Sequence, residues 1–228
     1  MLFDIDGTIL IYKKYFSRKV FASIIKEVFD RDIPLSQLPS FAGMTDLQIL
    51  KDIATNINLS ENELNDSLPE LWIKLLNEFK KMSSPENIEL LPGIPELISL
   101  LHDDEYTQPG LLTGNFKDNA YLKLSVFDLD KYFPFGAFGC ESDNRNHLPE
   151  LAIQRANNYI NSKQFSSENT VIIGDSPKDI ECAKTNNIPV LAVATGLFSE
   201  KQLTEYSPDT VFTNFSDYKK VYETIISF

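Results

Sequence analysis

Short apolar runs in this chain end, one after another, in small clusters of acidic and polar residues. That recurrence restricts the fold more than any other feature. Met1-Leu2-Phe3 runs into Asp4-Ile5-Asp6-Gly7-Thr8, and Gly110-Leu111-Leu112 into Thr113-Gly114-Asn115. The apolar stretch 135–139 leads to a segment holding Asp143, Arg145 and His147, and Thr170–Gly174 leads to Asp175-Ser176-Pro177-Lys178-Asp179. Helical patterns separate these runs near 93–101, 117–127 and 149–161, and follow at 177–186. A further strand at 190–193, a short one at 211–212 and a last helix near 216–226 complete the pattern. Strands spaced by short helices predict βαβ units with right-handed crossovers, and therefore a parallel sheet covered on both faces. The expected class is α/β, a doubly wound parallel sheet. Its first strand, read over 2–6, is short, with three residues ahead of the acids.

The region between that strand and residue 89 has a different character. Val20, Phe21, Ile24, Ile25, Val28 and Phe29 recur along one helix face, as do Leu64, Leu68, Leu71, Trp72, Leu75, Leu76 and Phe79. Leu47, Leu50 and Ile53 mark a third helix, opening at Thr45 or nearby Gly43. The expected organisation is an α/β core over 1–13 and 89–228, interrupted by an all-helical insert over 14–88. Hinges are expected near Leu10–Lys14 and Leu90–Gly93.

Charge narrows the partners. Among 228 residues, 33 acidic side chains against 21 basic ones leave a net charge of −12. Such a surface repels nucleic acid and anionic membranes. No run approaches the length of a membrane span, and Met1-Leu2-Phe3-Asp4 does not read as a secretory leader. The two cysteines, Cys140 and Cys182, make neither a disulfide framework nor a metal motif. A cytoplasmic protein acting on a small molecule is expected, with monomer and dimer both left open. A phosphorylated substrate would need local positive charge in an acidic protein, from a metal ion, basic side chains or helix N-termini.

Ligands of open α/β sheets bind beyond the carboxyl ends of the strands, where these clusters lie. Asp4 and Asp6, two apart on extended chain, lean to one side. Two such carboxylates do not both stay ionised without a cation. Asp175 and Asp179 converge from another strand. Hard oxygen donors with little Cys or His favour Mg²⁺. One carboxylate can attack phosphorus, while a second protonates the leaving oxygen and later deprotonates water. The Thr113 hydroxyl and the Gly114 and Asn115 amides are candidate phosphoryl donors. Arg145 is a candidate for neutralising charge on the phosphoryl oxygens.

In order along the chain, the Asp-x-Asp-Gly-Thr of Asp4–Thr8, the strand ending at Thr113-Gly114-Asn115, the basic Arg145 and the Gly174–Asp179 segment resemble the haloacid dehalogenase superfamily. The likeness extends to its phosphoglycolate phosphatase-like subgroup, with a helical cap inserted after the first strand. The resemblance implies Asp4 as nucleophile and Asp6 as general acid/base. It implies Mg²⁺ held by Asp4, the Asp6 main-chain carbonyl and Asp175, with Asp179 in support, and the phosphoryl group held by Thr113, Gly114 and Asn115. The family's third motif is usually a lysine, often before proline. Here the segment reads Ser142–Pro149 and Arg145 is the substitute, a planar fork in place of a point charge.

The expected function is Mg²⁺-dependent hydrolysis of a small phosphate monoester, the partner being a small phosphorylated metabolite. A phosphomutase of the β-phosphoglucomutase type would keep the same core residues. A 2-haloacid dehalogenase would not need Asp6, and a non-catalytic phosphate-binding relative should have lost one of Asp4, Asp6 or Asp175. The Gly43-Met44-Thr45 loop, opening a helix of the insert, is a candidate substrate loop as well as an ordinary turn. Lys178 reads as solvated, His147 as a surface residue or one that supports the site from behind rather than a catalytic one, Trp72 as packing, and both cysteines as small buried or neutral residues.

Overall fold

The computed structural model describes residues 1–228 apart from Tyr15, so that one position of the predicted 14–88 insert lies outside the described residues. In chain order the elements are β1 (Leu2–Phe3), β2 (Leu10–Tyr12), α1 (Ser17–Phe29), α2 (Asp46–Asn56), α3 (Glu61–Met82), β3 (Ile88–Leu90), α4 (Ile94–Asp103), β4 (Gly110–Thr113) and α5 (Lys117–Ser125). Then come β5 (Gly136–Phe138), α6 (Leu148–Tyr159), β6 (Ile172–Gly174), α7 (Pro177–Thr185), β7 (Val190–Val193), α8 (Glu200–Thr204), β8 (Thr210–Phe212) and α9 (Tyr218–Ile226).

The main sheet has six strands in the order β5-β4-β1-β6-β7-β8, and every pairing in it is parallel. Its strands are apolar at successive positions because each face is covered. Phe3, Leu111, Ile173, Leu191 and Val193 pack under α4, α5 and α9, against residues such as Leu97, Leu124 and Val221. Their neighbours Leu2, Leu112, Ile172, Val190 and Ala192 point the other way, against Leu148 and Ala152 of α6 and Ile180 of α7. This period-two division sends alternate side chains to opposite faces. β1 lies at the centre, between β4 and β6, with Leu2 opposite both Gly110 and Ile172. The chain winds outward on either side of it, which brings three strand ends to one crevice.

The first strand is shorter than the 2–6 read from sequence. The Asp4 N–H still reaches the Ile173 carbonyl at 2.9 Å, but Gly7, at φ +83°, then turns the chain. N–H groups of Thr8, Ile9 and Leu10 all close on the Ile5 carbonyl. A left-handed residue is what this reversal needs, and glycine adopts it without a Cβ clash.

The helices α1–α3 lie between β2 and β3, an antiparallel pair with Leu10 opposite Leu90 and Tyr12 opposite Ile88. Sequence reading assigned no strand there, since three residues are too few to display a period of two. The 88/89 limit drawn from sequence runs through β3. The helices enclose their own apolar cluster, including Phe21, Ile25, Leu50, Ile53, Leu71 and Phe79. Phe116, at the start of α5, enters the same cluster and stacks on Trp72 at 5.2 Å. Among the described residues no helix is long and apolar enough to cross a membrane.

Candidate active site

Asp4, Arg145, Asp175 and Asp179 come together where β1, β4 and β6 end. Asp175 directly follows β6, and Ser176 caps α7. The Ser176 hydroxyl accepts from the Asp179 N–H, and the Asp179 carboxylate accepts from the Ser176 N–H at 3.0 Å and its hydroxyl at 2.6 Å. This reciprocal cap fixes Asp179, which is wholly buried. Gly7 and Gly196 close on Asp175, where a Cβ would stand 2.4 Å and 1.7 Å from its Oδ2. The Thr8 hydroxyl is 3.4 Å from the other oxygen.

Arg145 opens a short 3-10 turn over Arg145–His147, in which the Asn144 side chain accepts from the Asn146 N–H. Its guanidinium is buried. Nη2 donates to Asp179 Oδ1 at 2.5 Å and to the Leu112 carbonyl at 3.0 Å, and stands 3.3 Å from Asp4 Oδ1. Nη1 reaches the Gly43 carbonyl at 3.3 Å.

One cation does not offset three buried carboxylates. Burial pushes Asp4 up to about 6, against the pull of Arg145 and with the help of Asp179 and Asp6. Asp175 is raised well above the usual carboxylate range, by burial first and then by Asp179 and Asp4. Burial opposes the charge on Arg145, but Asp179 and Asp4 more than restore it and lift its pKa. Oxygens of Asp4, Asp175 and Asp179 lie within 4.8 Å of one another. A set of hard oxygen donors short of positive charge fits Mg²⁺ rather than a thiolate or imidazole metal. Both Asp179 oxygens are already engaged, which leaves Asp4 and Asp175 as the free donors.

Asp6 lies apart from this cluster. Its carboxylate, 43% exposed, accepts from Lys123 Nζ at 2.6 and 2.8 Å and from Asn115 Nδ2 at 2.7 Å. Burial depresses the Lys123 pKa, but the charges of Asp6 and Tyr12 and the hydrogen bond to Asp6 more than offset it. Lys123 is a site residue that sequence reading missed. A faint signal exists: Asn115 just ahead of α5, and Asn119 and Lys123 within it, follow at intervals of four, a polar line leading down its buried side.

Of the other candidates, Gly114 and Asn115 face the cavity described below. Thr113 does not. It is wholly buried, and its Oγ1 accepts from the Asn115 backbone and side-chain N–H groups at 3.3 and 2.8 Å, so it shapes the loop from beneath. Lys178 is exposed and pairs with Glu181. His147 is exposed beside Ser142 and Asn144. Cys182 is buried, its thiol pushed up to about 12 by burial. Cys140 is half-buried.

The loop of the insert reaches this crevice. Gly43 has φ +67°, and a Cβ there would stand 2.5 Å from Ser176 Oγ. A Cβ on Gly114 would stand 2.0 Å from the Met44 carbonyl. Thr45 caps α2 by accepting from the Gln48 N–H. The Asp46 N–H donates to the Gly114 carbonyl at 2.7 Å, and the Asp46 carboxylate accepts from the Phe116 N–H at 2.8 Å. Burial pushes Asp46 up to about 7, against the hydrogen bond from Phe116 and the charge of Lys123.

Between these parts lies a cavity of about 440 Å³, with Asp4, Asp6 and Asp175 on the sheet side and Phe21, Phe41 and Met44 on the helical side.

A family profile described as haloacid dehalogenase-like hydrolase matches residues 1–193. The chain belongs to this family. Among relatives of this haloacid dehalogenase-like hydrolase, the pyrophosphatase PpaX of Listeria welshimeri is 23% identical over 217 residues, covering 95% of this chain and 93% of the relative. Solved structures with the same fold include a β-phosphoglucomutase from Clostridium difficile, with TM-score 0.72, 19% identity, and 99% and 96% of the two chains covered. A hydrolase from Pseudomonas syringae has TM-score 0.71 and 18% identity, with 98% and 97% covered.

Proposed function

We propose that this phosphohydrolase transfers the phosphoryl group of a small phosphate monoester to Asp4 and then to water. The observation that carries the reading is the sharing of one guanidinium nitrogen of Arg145 between Asp4 and Asp179, at 3.3 and 2.5 Å, at the wall of the cavity. A buried carboxylate so placed is oriented for attack, and the same guanidinium can meet a phosphoryl oxygen.

In the first half-reaction an Asp4 oxygen bonds to phosphorus and the ester P–O bond breaks, while Asp6, protonated in the substrate complex, gives its proton to the leaving oxygen. In the second, Asp6 takes a proton from water, the water oxygen bonds to phosphorus, and the P–O bond to Asp4 breaks. Inorganic phosphate leaves and both acids return to their starting state. Mg²⁺ would be held by Asp4, the Asp6 carbonyl and Asp175 with Asp179 in support, and when bound it offsets charge on the phosphoryl oxygens. The amide of Gly114 and the Asn115 side of the loop, which line the cavity, are assigned to the phosphoryl group. Helices α1–α3, with Gly43, Met44 and Thr45, act as the cap that excludes water and faces the leaving group.

PpaX by name acts on pyrophosphate. The cavity here is far larger than that anion and is walled on the cap side by Phe21, Phe41, Met44, Ile49 and Phe79. A phosphomonoester with an organic body fits this lining better. The test is an acid quench during turnover of a panel of phosphate esters with Mg²⁺, followed by mass spectrometry. Phosphate is expected on the peptide carrying Asp4 and absent from it in Asp4→Asn. An unmodified peptide, with inorganic phosphate still released, refutes the covalent route.

A further inference from the structure

Lys123 is an expensive residue where it lies. It is 3% exposed, at the end of the second turn of α5, between Leu122 and Leu124. The rings of Tyr12 and Phe79 stand 5.1 and 5.8 Å from its ammonium. Tyr12 comes from β2 and Phe79 from the last turns of α3, so the insert covers the charge from one side. An ammonium buried this way is tolerated only when its donors are satisfied. Two of its partners are the Asp6 oxygens and the third is Asn115 Oδ1 at 2.6 Å.

Those partners also bond each other. Asn115 Nδ2 donates to Asp6 Oδ2 at 2.7 Å, while its Oδ1 accepts from Asn119 at 3.1 Å as well as from Lys123. Asp6, Lys123 and Asn115 thus form a closed ring of charge-assisted hydrogen bonds. Without it, a half-exposed carboxylate on two rotatable bonds would sample several rotamers along the cavity wall. The two buried cations of the site divide the acids between them: Arg145 serves Asp4 and Asp179, and Lys123 serves Asp6.

We propose that Lys123 is a positioning residue for the proton transfers of Asp6, holding its carboxylate in the one orientation from which it meets the leaving oxygen. This rests on the role given to Asp6 above. It makes a prediction that a merely structural role does not. Loss of an oriented general acid slows esters whose leaving group must be protonated, and spares those whose leaving group departs as an anion.

The experiment compares para-nitrophenyl phosphate with benzyl phosphate, two esters of similar shape. Their kcat/KM values are measured with wild type, Lys123→Met, Lys123→Arg and Asp6→Asn, each checked for folding by thermal melt. Lys123→Met is expected to lose on the order of 10²-fold on benzyl phosphate and less than about tenfold on para-nitrophenyl phosphate. Lys123→Arg should recover a large part of the benzyl phosphate rate, because a charged donor still reaches Asp6. If Lys123→Met does not stay folded, Lys123→Gln carries the same expectation. Equal losses on both esters, or none, overturn the proposal. If Asp6→Asn discriminates between the esters and the Lys123 variants do not, only the role of Lys123 falls. If Asp6→Asn itself treats them alike, the acid role of Asp6 falls with it.

Discussion

Arg145 holds Asp179 and Asp4 from a single nitrogen, Nη2, at 2.5 and 3.3 Å, while Nη1 extends to the Gly43 carbonyl in the insert. A lysine ammonium could hold the two acids, but it could not also span to Leu112 and Gly43 with a planar fork. Arg145→Ala should therefore lower kcat/KM by on the order of 10²-fold or more, as expected for removing a charge-stabilising donor. It also leaves Asp179 buried without its partner, at a cost of about 3–5 kcal/mol in a urea melt. Arg145→Lys should regain part of the activity. A near-wild-type Arg145→Ala enzyme would move the role elsewhere.

Asp4→Asn tests the nucleophile. The carboxylate is buried and its pKa is raised to about 6, so at neutral pH its charge opposes folding. The amide keeps the shape and drops the charge. We expect turnover to disappear, because an amide is a far poorer nucleophile, while thermal stability without added metal holds or rises. Substantial activity in the folded variant would sink the covalent route.

What could be read without coordinates was local. Asp4 and Asp6, and Asp175 and Asp179, lie within one turn of chain, and glycine and proline beside them announce the turns. Their strands alternate with helices clearly enough to give the sheet. The charge of the neighbouring acids is enough to expect the Arg145 fork at Asp4 or Asp179, and Nη2 stands 3.3 and 2.5 Å from them; its bonds to the Leu112 and Gly43 carbonyls, 33 and 102 positions away, leave no trace in the sequence. Lys123 was missed because its partner Asp6 is 117 positions distant; in sequence it is one lysine among many. The three-residue strands β2 and β3 left no periodic trace. Thr113 is expected as a phosphoryl donor because its type suits that task. Its side chain points inward to brace Asn115, and which way a threonine at a strand end points depends on pleat and register.

The metal has a readout independent of turnover. Asp4 and Asp175 are buried, raised in pKa and free of strong partners other than Arg145. Mg²⁺ binding to the folded state alone should raise the melting temperature with concentration. Asp175→Asn should weaken that rise. Activity should vanish with EDTA and return with Mg²⁺, whereas Ca²⁺, which prefers more ligands at longer distances, should inhibit. Full activity after exhaustive chelation would contradict the Mg²⁺ reading.

Asp46 links α2 to the core through the Phe116 N–H at 2.8 Å, and its titration should be visible in stability. Burial raises its pKa from 3.8 to about 7 in the folded protein. Between those values the folded chain keeps a proton that the unfolded chain has released. Its contribution is therefore fully present below about pH 4 and is lost as pH rises toward about 7. Asp46→Asn has no proton to exchange, and its amide oxygen can still accept from Phe116. The other buried carboxylates titrate in both proteins and cancel in the difference. The stability of Asp46→Asn relative to wild type should thus be smallest at about pH 4, climb with pH, and level off above about 7, by a few kcal/mol at most. Urea unfolding of both proteins across that range measures it directly. A difference that stays flat, or that favours wild type as pH rises, would mean that Asp46 is ionised in the docked structure and held there by Lys123 and the Phe116 N–H.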